Sequence, residues 1–557
     1  MAGAGGGTGT ELAEEPIRHH VGLSSTGVFV ISVAIQAIGV AASVALNHVV
    51  GGNDAGKAIL GTVQLYLLIA SSINGIGDLR IGTAYTFFVA RGRPASELTG
   101  TYLALRLAMV GIGGVSLFVL GTIPGSGFQW ASTGEEIEAL SVFMVLPILW
   151  SIQTVYTQMV VAGGRSVAGQ IPLLLESCVR TPLLIAVVFL DPTVTGLTLA
   201  YVPGALASAL YCLRPVLRET YRFQRAEAMR LFRYAWPLMG SLLLLYLANS
   251  APPLIVNAYL GTIQLAEFSA ANGWRILALS LPAAVAVPLF PVLTALHKAK
   301  GAASVRASTW TALRYTAMVV VPGVLAIVVY RNNLLNIFAN ATYIGPASLP
   351  LVILGFAVIP AALAQIIGTS LNAVGYQRLE LYLTSLQVAV LFGGSILLLP
   401  PYSLFGLAGL VAISLSILGS SVAALVVNAY FMHRLLAVRI QLRPIGGILL
   451  SAAAAFFAVS RLNTVLAVGR WYELVLVVAL GFAVYFGVLA LIGELSKEDV
   501  RYLSGSIGLP ATLRDTLVRL CWRERAPPVN EGVPTIGEYD EEAGTATVRR
   551  RPPPPLP

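Results

Sequence analysis

Apolar residues run along this chain in blocks of about 20, separated by short polar stretches, and a helix of about 20 residues crosses a hydrocarbon core of about 30 Å. Breaks at charges, glycine and proline divide the blocks into fourteen expected helices, at about 22–48, 57–90, 98–122, 138–162, 168–190, 195–215, 234–258, 263–295, 309–330, 346–373, 379–400, 404–432, 444–461 and 471–493. The pattern predicts an all-α polytopic membrane protein. The second block is long enough to expect a bend or break at its central glycines, in SSINGIGDLRIGTAY (Ser71–Tyr85).

Composition agrees. Of 557 residues, 56% are hydrophobic and 11% charged, with a mean hydropathy of +0.79, against about 25% charged in soluble domains. The net charge of +9 does not point to nucleic acid, because the basic residues sit in short loops and not along one face. Alternate loops hold Arg91 and Arg93; Arg165; Arg214, Arg218, Arg222, Arg225, Arg230 and Arg233; Lys298, Lys300 and Arg306; Arg378; then Arg434, Arg439 and Arg443, while the opposite loops hold Lys57, Arg331, Arg461 and Arg470. That asymmetry is the positive-inside signature and expects both termini in the cytoplasm. Cys178, Cys212 and Cys521 are too scattered for a disulfide framework or a metal site. The first 20 residues lack the cationic start and cleavage site of a signal peptide. The proline-rich end reads as a disordered tail.

Two echoes suggest an internal repeat. TYLALRLAM (Thr101–Met109) resembles TWTALRYTAM (Thr309–Met318), aligning Arg106 with Arg314, and AGGR (Ala162–Arg165) resembles AVGYQR (Ala373–Arg378). Their placement expects two parallel six-helix lobes followed by two further helices. The expected division is a cytoplasmic tail over 1–20, an N-lobe over 21–215, a basic interfacial linker over 216–233, a C-lobe over 234–433, helices thirteen and fourteen over 434–495, and a cytoplasmic tail over 496–557. Within the linker region, Arg225–Leu238 mixes arginines with Met229, Phe232, Tyr234 and Trp236, which suits either a helix at an anionic membrane surface or a solvated connection.

NATYIGPASLPLVILGFAVIPAALAQIIGTSLNAVGYQRLELY (Asn340–Tyr382), PLFPVLTALH (Pro288–His297) and GELSKEDVRYL after the last span resemble the corresponding regions of the polysaccharide and oligosaccharide flippases of the multidrug/oligosaccharidyl-lipid/polysaccharide (MOP) superfamily. The resemblance extends over about residues 20 to 505. It implies a V-shaped pair of six-helix bundles around a central cavity, with two added helices, and transport of a polyprenyl-phosphate-linked saccharide across the cell membrane by alternating access. Other membrane lipids, and the glycosyltransferases or polymerase of the same pathway, are the further partners it implies. No cofactor is expected. Coupling to a Na+ or H+ gradient or to the membrane potential stays open.

Charges inside the spans are the candidate site, since one at mid-bilayer costs about 3 to 10 kcal/mol unless it faces protein, a partner or water. Glu176 and Arg180 lie one turn apart in the fifth span, the favourable order for an i, i+4 pair. One reading makes them glue between helices; the other lines a cavity with them, Arg180 meeting an anionic headgroup and Glu176 solvating it or exchanging a proton. Asp78 and Arg80 flank the expected break in the second span, either as a local pair or as cavity residues. Arg275 has no acid within helical reach. The resemblance implies a headgroup-binding role for Arg275 and Arg80. Arg106 and Arg314 are expected to snorkel to the interface, and Glu267, Glu380 and Glu473 to reach the headgroup region.

Rival classes are a drug or metabolite extruder of the same superfamily, a peptidoglycan-precursor flippase, a membrane glycosyltransferase and a non-transporting scaffold. Extruders of the superfamily that the chain resembles often carry an acidic ion-coupling residue in the first helix, whereas GVFVISVAIQAIGVAASVAL here holds no charge, which disfavours the extruder. The chain has no P-loop for ATP.

Overall fold

The computed structural model describes residues 31–495, apart from 33, 91–92, 125–129, 164, 220–222, 301, 400–408, 439–441 and 466–469. The expected tails over 1–20 and 496–557 lie outside the described residues. The described residues are helical, with no strand. Among the described residues, twelve helices are long and apolar enough to cross a membrane. They are joined by the shorter apolar helix α1 (Ala34–Val49) and the 39-residue α11 (Thr262–Lys300), so every expected span has a counterpart. The chain is a multi-pass membrane protein.

The remaining helices follow in order. They are α2 (Asp54–Ile76), α3 (Ile81–Ala90), α4 (Ala95–Thr122), α5 (Gly134–Phe143), α6 (Val145–Ala162), α7 (Ser166–Leu190), α8 (Val194–Leu199), α9 (Tyr201–Glu219) and α10 (Arg225–Leu260). After α11 come α12 (Ala302–Val329), α13 (Arg331–Phe338), α14 (Ile344–Ala373), α15 (Gln377–Leu398), α16 (Gly409–Leu436), α17 (Leu442–Val465) and α18 (Trp471–Leu491). A 3-10 turn, Ala341–Tyr343, leads into α14. By its contacts the chain divides into a unit over 1–485 and a second over 486–557. The second is described only to residue 495, where the last helix gives way to a turn with Gly493 at φ 75°.

Within the first unit the helices fall into two packing groups. In one, α6 packs on α2, α3, α4, α7 and α9, and α7 packs on α9. In the other, α14 packs on α11, α12, α13, α15 and α16, α15 packs on α16, and α17 packs on α12. The groups meet where α11 runs along α2 and where α10 lies against α2, α3 and α4 on one side and α11, α15 and α16 on the other.

Two local features bear on the site, the first at the expected break and the second a departure from the expected elements. The second span is two helices. Glycine is poor in helix interiors, and after Gly75 and Gly77 the residues Leu79 and Arg80 take left-handed φ angles of 39° and 63°, which cost about 1–2 kcal/mol each for non-glycine residues. The turn is closed by Asp78 N–H to Gly75 O at 3.2 Å and Ile81 N–H to Asp78 O at 2.7 Å. The departure is α10. Its 36 residues begin at Arg225 and run unbroken through Pro237, Pro252 and Pro253, so Arg225–Leu238 is not a separate surface helix. Its first turns bury Leu231 and Ala235 in a cluster with Tyr85, Tyr102 and Val216, and Tyr234 stacks on Phe87 at 4.4 Å. Apolar burial against the first helix group, with the arginines outward, holds this segment in place.

Candidate functional site

The break between α2 and α3 organises the first cluster. In an uninterrupted helix the Asn74 carbonyl would accept from the Asp78 N–H, but that N–H turns to Gly75. The Arg106 guanidinium, from α4, takes its place. Nη2 donates to Asn74 O at 3.1 Å, Asn74 Oδ1 at 2.6 Å and Thr154 Oγ1 of α6 at 3.2 Å, and Nη1 donates to Asp78 Oδ1 at 2.8 Å. The Tyr102 hydroxyl donates to the same carboxylate oxygen at 2.6 Å. Arg106 is 1% exposed, so it does not snorkel to the interface. An arginine fork that satisfies a freed carbonyl and a carboxylate together is more stable inside than stretched to the surface.

Asp78 therefore pairs across helices with Arg106 and not with Arg80, because residues two apart do not share a face and the left-handed turn separates them further. Arg80 is half-buried and makes no side-chain hydrogen bond or ion pair among the described residues. Tyr246 of α10 lies within electrostatic reach of Asp78, Arg80 and Arg106. It reaches that position because Gly75 has no side chain: a Cβ there would stand 1.7 Å from the Tyr246 hydroxyl oxygen and 1.9 Å from its ring. Gly75→Ala is expected to displace this stiff ring and destabilise the protein by about 1–3 kcal/mol, the usual cost of overpacking, read as a lower unfolding midpoint in detergent.

A second cluster lies on α7. The Arg180 Nη1 donates to Glu176 Oε1 at 3.2 Å, the Trp150 indole N–H of α6 donates to the same oxygen at 3.1 Å, and the guanidinium stands 5.5 Å from the centre of the Tyr201 ring. Glu176 is 5% exposed. Gly204 lets α9 approach, since a Cβ there would meet Arg180 Cβ and Glu176 O at 2.8 Å. This is a compact, paired arrangement between α6, α7 and α9, with the geometry of a helix clamp.

Arg275, on α11, donates from Nη1 to Asn272 Oδ1 at 2.9 Å, and its Nε is buried without a partner. Among the described residues no carboxylate pairs with it. Arg314 of α12 is 4% exposed beside the Tyr315 ring, so it too is buried and not at an interface. Arg106 and Arg314, which the sequence echo aligns, are thus both interior arginines, one on α4 and one on α12. Glu267 does not reach a headgroup region either. It is buried against Lys57, at 2.8 Å. That pair, Trp150 and Tyr246 were not singled out by spacing, since their partners lie 26 to 210 residues away and only packing brings them together. Glu380 is exposed and accepts from Asn372 Nδ2 at 2.7 Å, and Glu473 accepts from the Arg470 N–H at 3.0 Å.

The fold places these helices in a known class. The lipid II flippase MurJ in an inward closed conformation matches with a TM-score of 0.66 and 11% identity, over 83% of this chain and 98% of MurJ. An inward-facing multidrug resistance MATE family transporter of the MOP superfamily matches with a TM-score of 0.61 and 15% identity, over 72% of this chain and 94% of its own. A MOP superfamily transporter from Pyrococcus furiosus matches at 0.54 and 15%, over 75% and 95%. The protein has the fold of the MOP-superfamily transporters. Residues 128–347 match the model of a family described as polysaccharide biosynthesis protein. No curated protein matches the sequence.

Proposed function

We propose that the protein is a flippase that carries a polyprenyl-phosphate-linked oligosaccharide or polysaccharide repeat unit from the cytoplasmic to the outer leaflet of the cell membrane by alternating access between the two helix groups. The observation that carries the reading is the contrast among interior charges. Glu176 with Arg180, Asp78 with Arg106 and Lys57 with Glu267 neutralise one another, whereas Arg80 and Arg275 have no acid partner among the described residues. An uncompensated guanidinium within a membrane span is costly, and a phosphate-bearing headgroup supplies the missing charge through paired, charge-assisted hydrogen bonds. The Asp78–Arg106 network then holds the helix break that presents Arg80, and the Glu176–Arg180 clamp holds α7 to α6 and α9. The match to a polysaccharide biosynthesis family supports a saccharide cargo. Both termini lie in the cytoplasm, by the distribution of basic loops.

A peptidoglycan-precursor flippase is the second reading, favoured by the likeness to MurJ over 83% of the chain. Both cargoes join a sugar to a lipid through phosphate, so the arginines serve either.

Reconstitution into vesicles tests the proposal. Fluorescent lipid-linked saccharides of each type are placed in one leaflet, and their arrival in the other is followed with a membrane-impermeant reagent, with and without a Na+ gradient, a pH gradient or a potential. Protein-dependent movement of one cargo is the expected result, and the gradient that accelerates it identifies the driving force. Movement no faster than in protein-free vesicles, with uptake of organic cations instead, would assign the chain to drug extrusion.

A further inference from the structure

The Lys57–Glu267 pair lies apart from the arginine clusters. Lys57 Nζ donates to Glu267 Oε1 at 2.8 Å and to the Thr342 carbonyl at 3.3 Å, with the Tyr343 ring centre at 5.0 Å and the Asp54 carboxylate at 3.9 Å. Lys57 belongs to α2 in the first helix group, while Glu267 and Thr342 belong to α11 and the turn before α14 in the second. Both charged side chains are buried.

Further bonds at the same end tie the end of α1 and the turn that leads into α2 to the turn before α14. Tyr343 OH donates to Asn47 Oδ1 at 3.3 Å, Thr342 Oγ1 to Gly51 O at 3.2 Å and Asn340 Nδ2 to His48 O at 3.4 Å. One turn along α2, a Cβ on Gly61 would stand 1.9 Å from the Thr262 carbonyl oxygen, so the two helices touch backbone to backbone. The end of the molecule where α1 gives way to α2 is therefore shut by contacts between the two groups, and the charge pair is at the centre of them.

We propose that Lys57 and Glu267 form the latch that closes the outer end of the translocation path, and that their separation is the opening step. This rests on the alternating-access reading above. In the shut arrangement the two charges cancel where water does not reach; parting the groups hydrates both. Removing Lys57 leaves Glu267 buried and uncompensated, and removing Glu267 leaves the buried Lys57 with only the longer, solvent-exposed Asp54 contact at 3.9 Å; each penalises the shut state more than the open one and shifts the population toward opening. Removing both charges lifts that penalty, because an uncharged pair of similar volume strands no charge in the shut state.

The test uses the full chain with Cys178, Cys212 and Cys521 replaced by serine and a reporter, Ala271→Cys, placed one turn beyond Glu267 at a fully buried position. A membrane-impermeant maleimide is added from the outer side. Labelling is expected to be slow in the parent and about tenfold or more faster in Lys57→Met and in Glu267→Gln, equivalent to a shift of about 1.4 kcal/mol or more. The double variant Lys57→Met, Glu267→Gln is expected to label more slowly than either single variant, the coupling that a double-mutant cycle isolates. Single variants that label no faster than the parent overturn the latch. So does a double variant that labels as fast as the faster single one, since the pair would then act through shape and not charge. Should Lys57→Met fail to fold, Glu267→Gln against the reversed pair Lys57→Glu, Glu267→Lys makes the same comparison, with the reversed pair expected to restore protection. The latch and the cargo fail separately: a labelling response without saccharide movement removes the cargo alone, and saccharide movement with unchanged labelling removes the latch alone.

Discussion

Replacing Arg275 by glutamine is expected to slow protein-dependent movement of a lipid-linked saccharide by about 10- to 100-fold while leaving the protein as stable as before, or more so. A hydrogen bond to a charged group contributes about 1.5–3 kcal/mol, and each 1.4 kcal/mol is tenfold, so loss of the guanidinium's hold on phosphate gives that range. The stability half of the expectation has the opposite sign from a structural role. Arg275 bonds to one neutral side chain, Asn272, and has no carboxylate to leave stranded. Arg275→Lys keeps the charge without the planar fork and should fall between the two. The measurement is initial rate in vesicles beside the unfolding midpoint in detergent. Unchanged transport in Arg275→Gln, with a lowered midpoint, would make the residue a packing element and withdraw it from the path.

Arg106→Met should behave in the reverse way. The Arg106 side chain donates four bonds, to the last turn of α2, to Asp78 in the helix break and to Thr154 of α6, and it is 1% exposed. Breaking a buried charge pair from one side costs about 3–5 kcal/mol. Asp78 retains a fifth of its side-chain exposure and the Tyr102 hydrogen bond, which places the expected loss toward the lower end. The unfolding midpoint should drop sharply and transport should be lost with it. Adding Asp78→Leu to Arg106→Met should recover part of the midpoint, because the stranded carboxylate is gone, but not the transport, because the α2–α3 turn that presents Arg80 has lost the group that capped the Asn74 carbonyl. A midpoint unchanged by Arg106→Met would show that the network is ornamental.

The membrane class and the sequence of spans were legible because they depend on hydrocarbon thickness and helix rise, which any 20-residue apolar block reports. The break near Gly75–Asp78 was legible for a similarly local reason. The pairing of charges was not. Asp78 has Arg80 two residues away and Arg106 on another helix, and only the direction of the broken backbone decides between them. Snorkelling was the wrong expectation for Arg106 and Arg314, because depth along a helix can be counted from sequence whereas the identity of the neighbouring helix cannot. Lys57 and Glu267 stand 210 residues apart near the ends of their helices, so each taken alone looked like an interfacial charge. Glu176 and Arg180 were legible as a pair because both lie on one helix face, though nothing local in their spacing announced Trp150 or Tyr201.

The proline pair in α10 sets how such a molecule is able to move. This helix is tied to both groups, its first turns buried beside Tyr85 and Tyr102 and its length resting on α11, α15 and α16. A rigid rod fastened in that way would weld the groups together. Pro252 and Pro253 lack the N–H groups that would bind the carbonyls of Ala248 and Asn249, so the ladder across that turn carries two backbone bonds fewer and resists bending less. Bending of α10 between its two anchored segments is therefore easiest where this pair stands, so a rocking of one group against the other would ask least of the helix there.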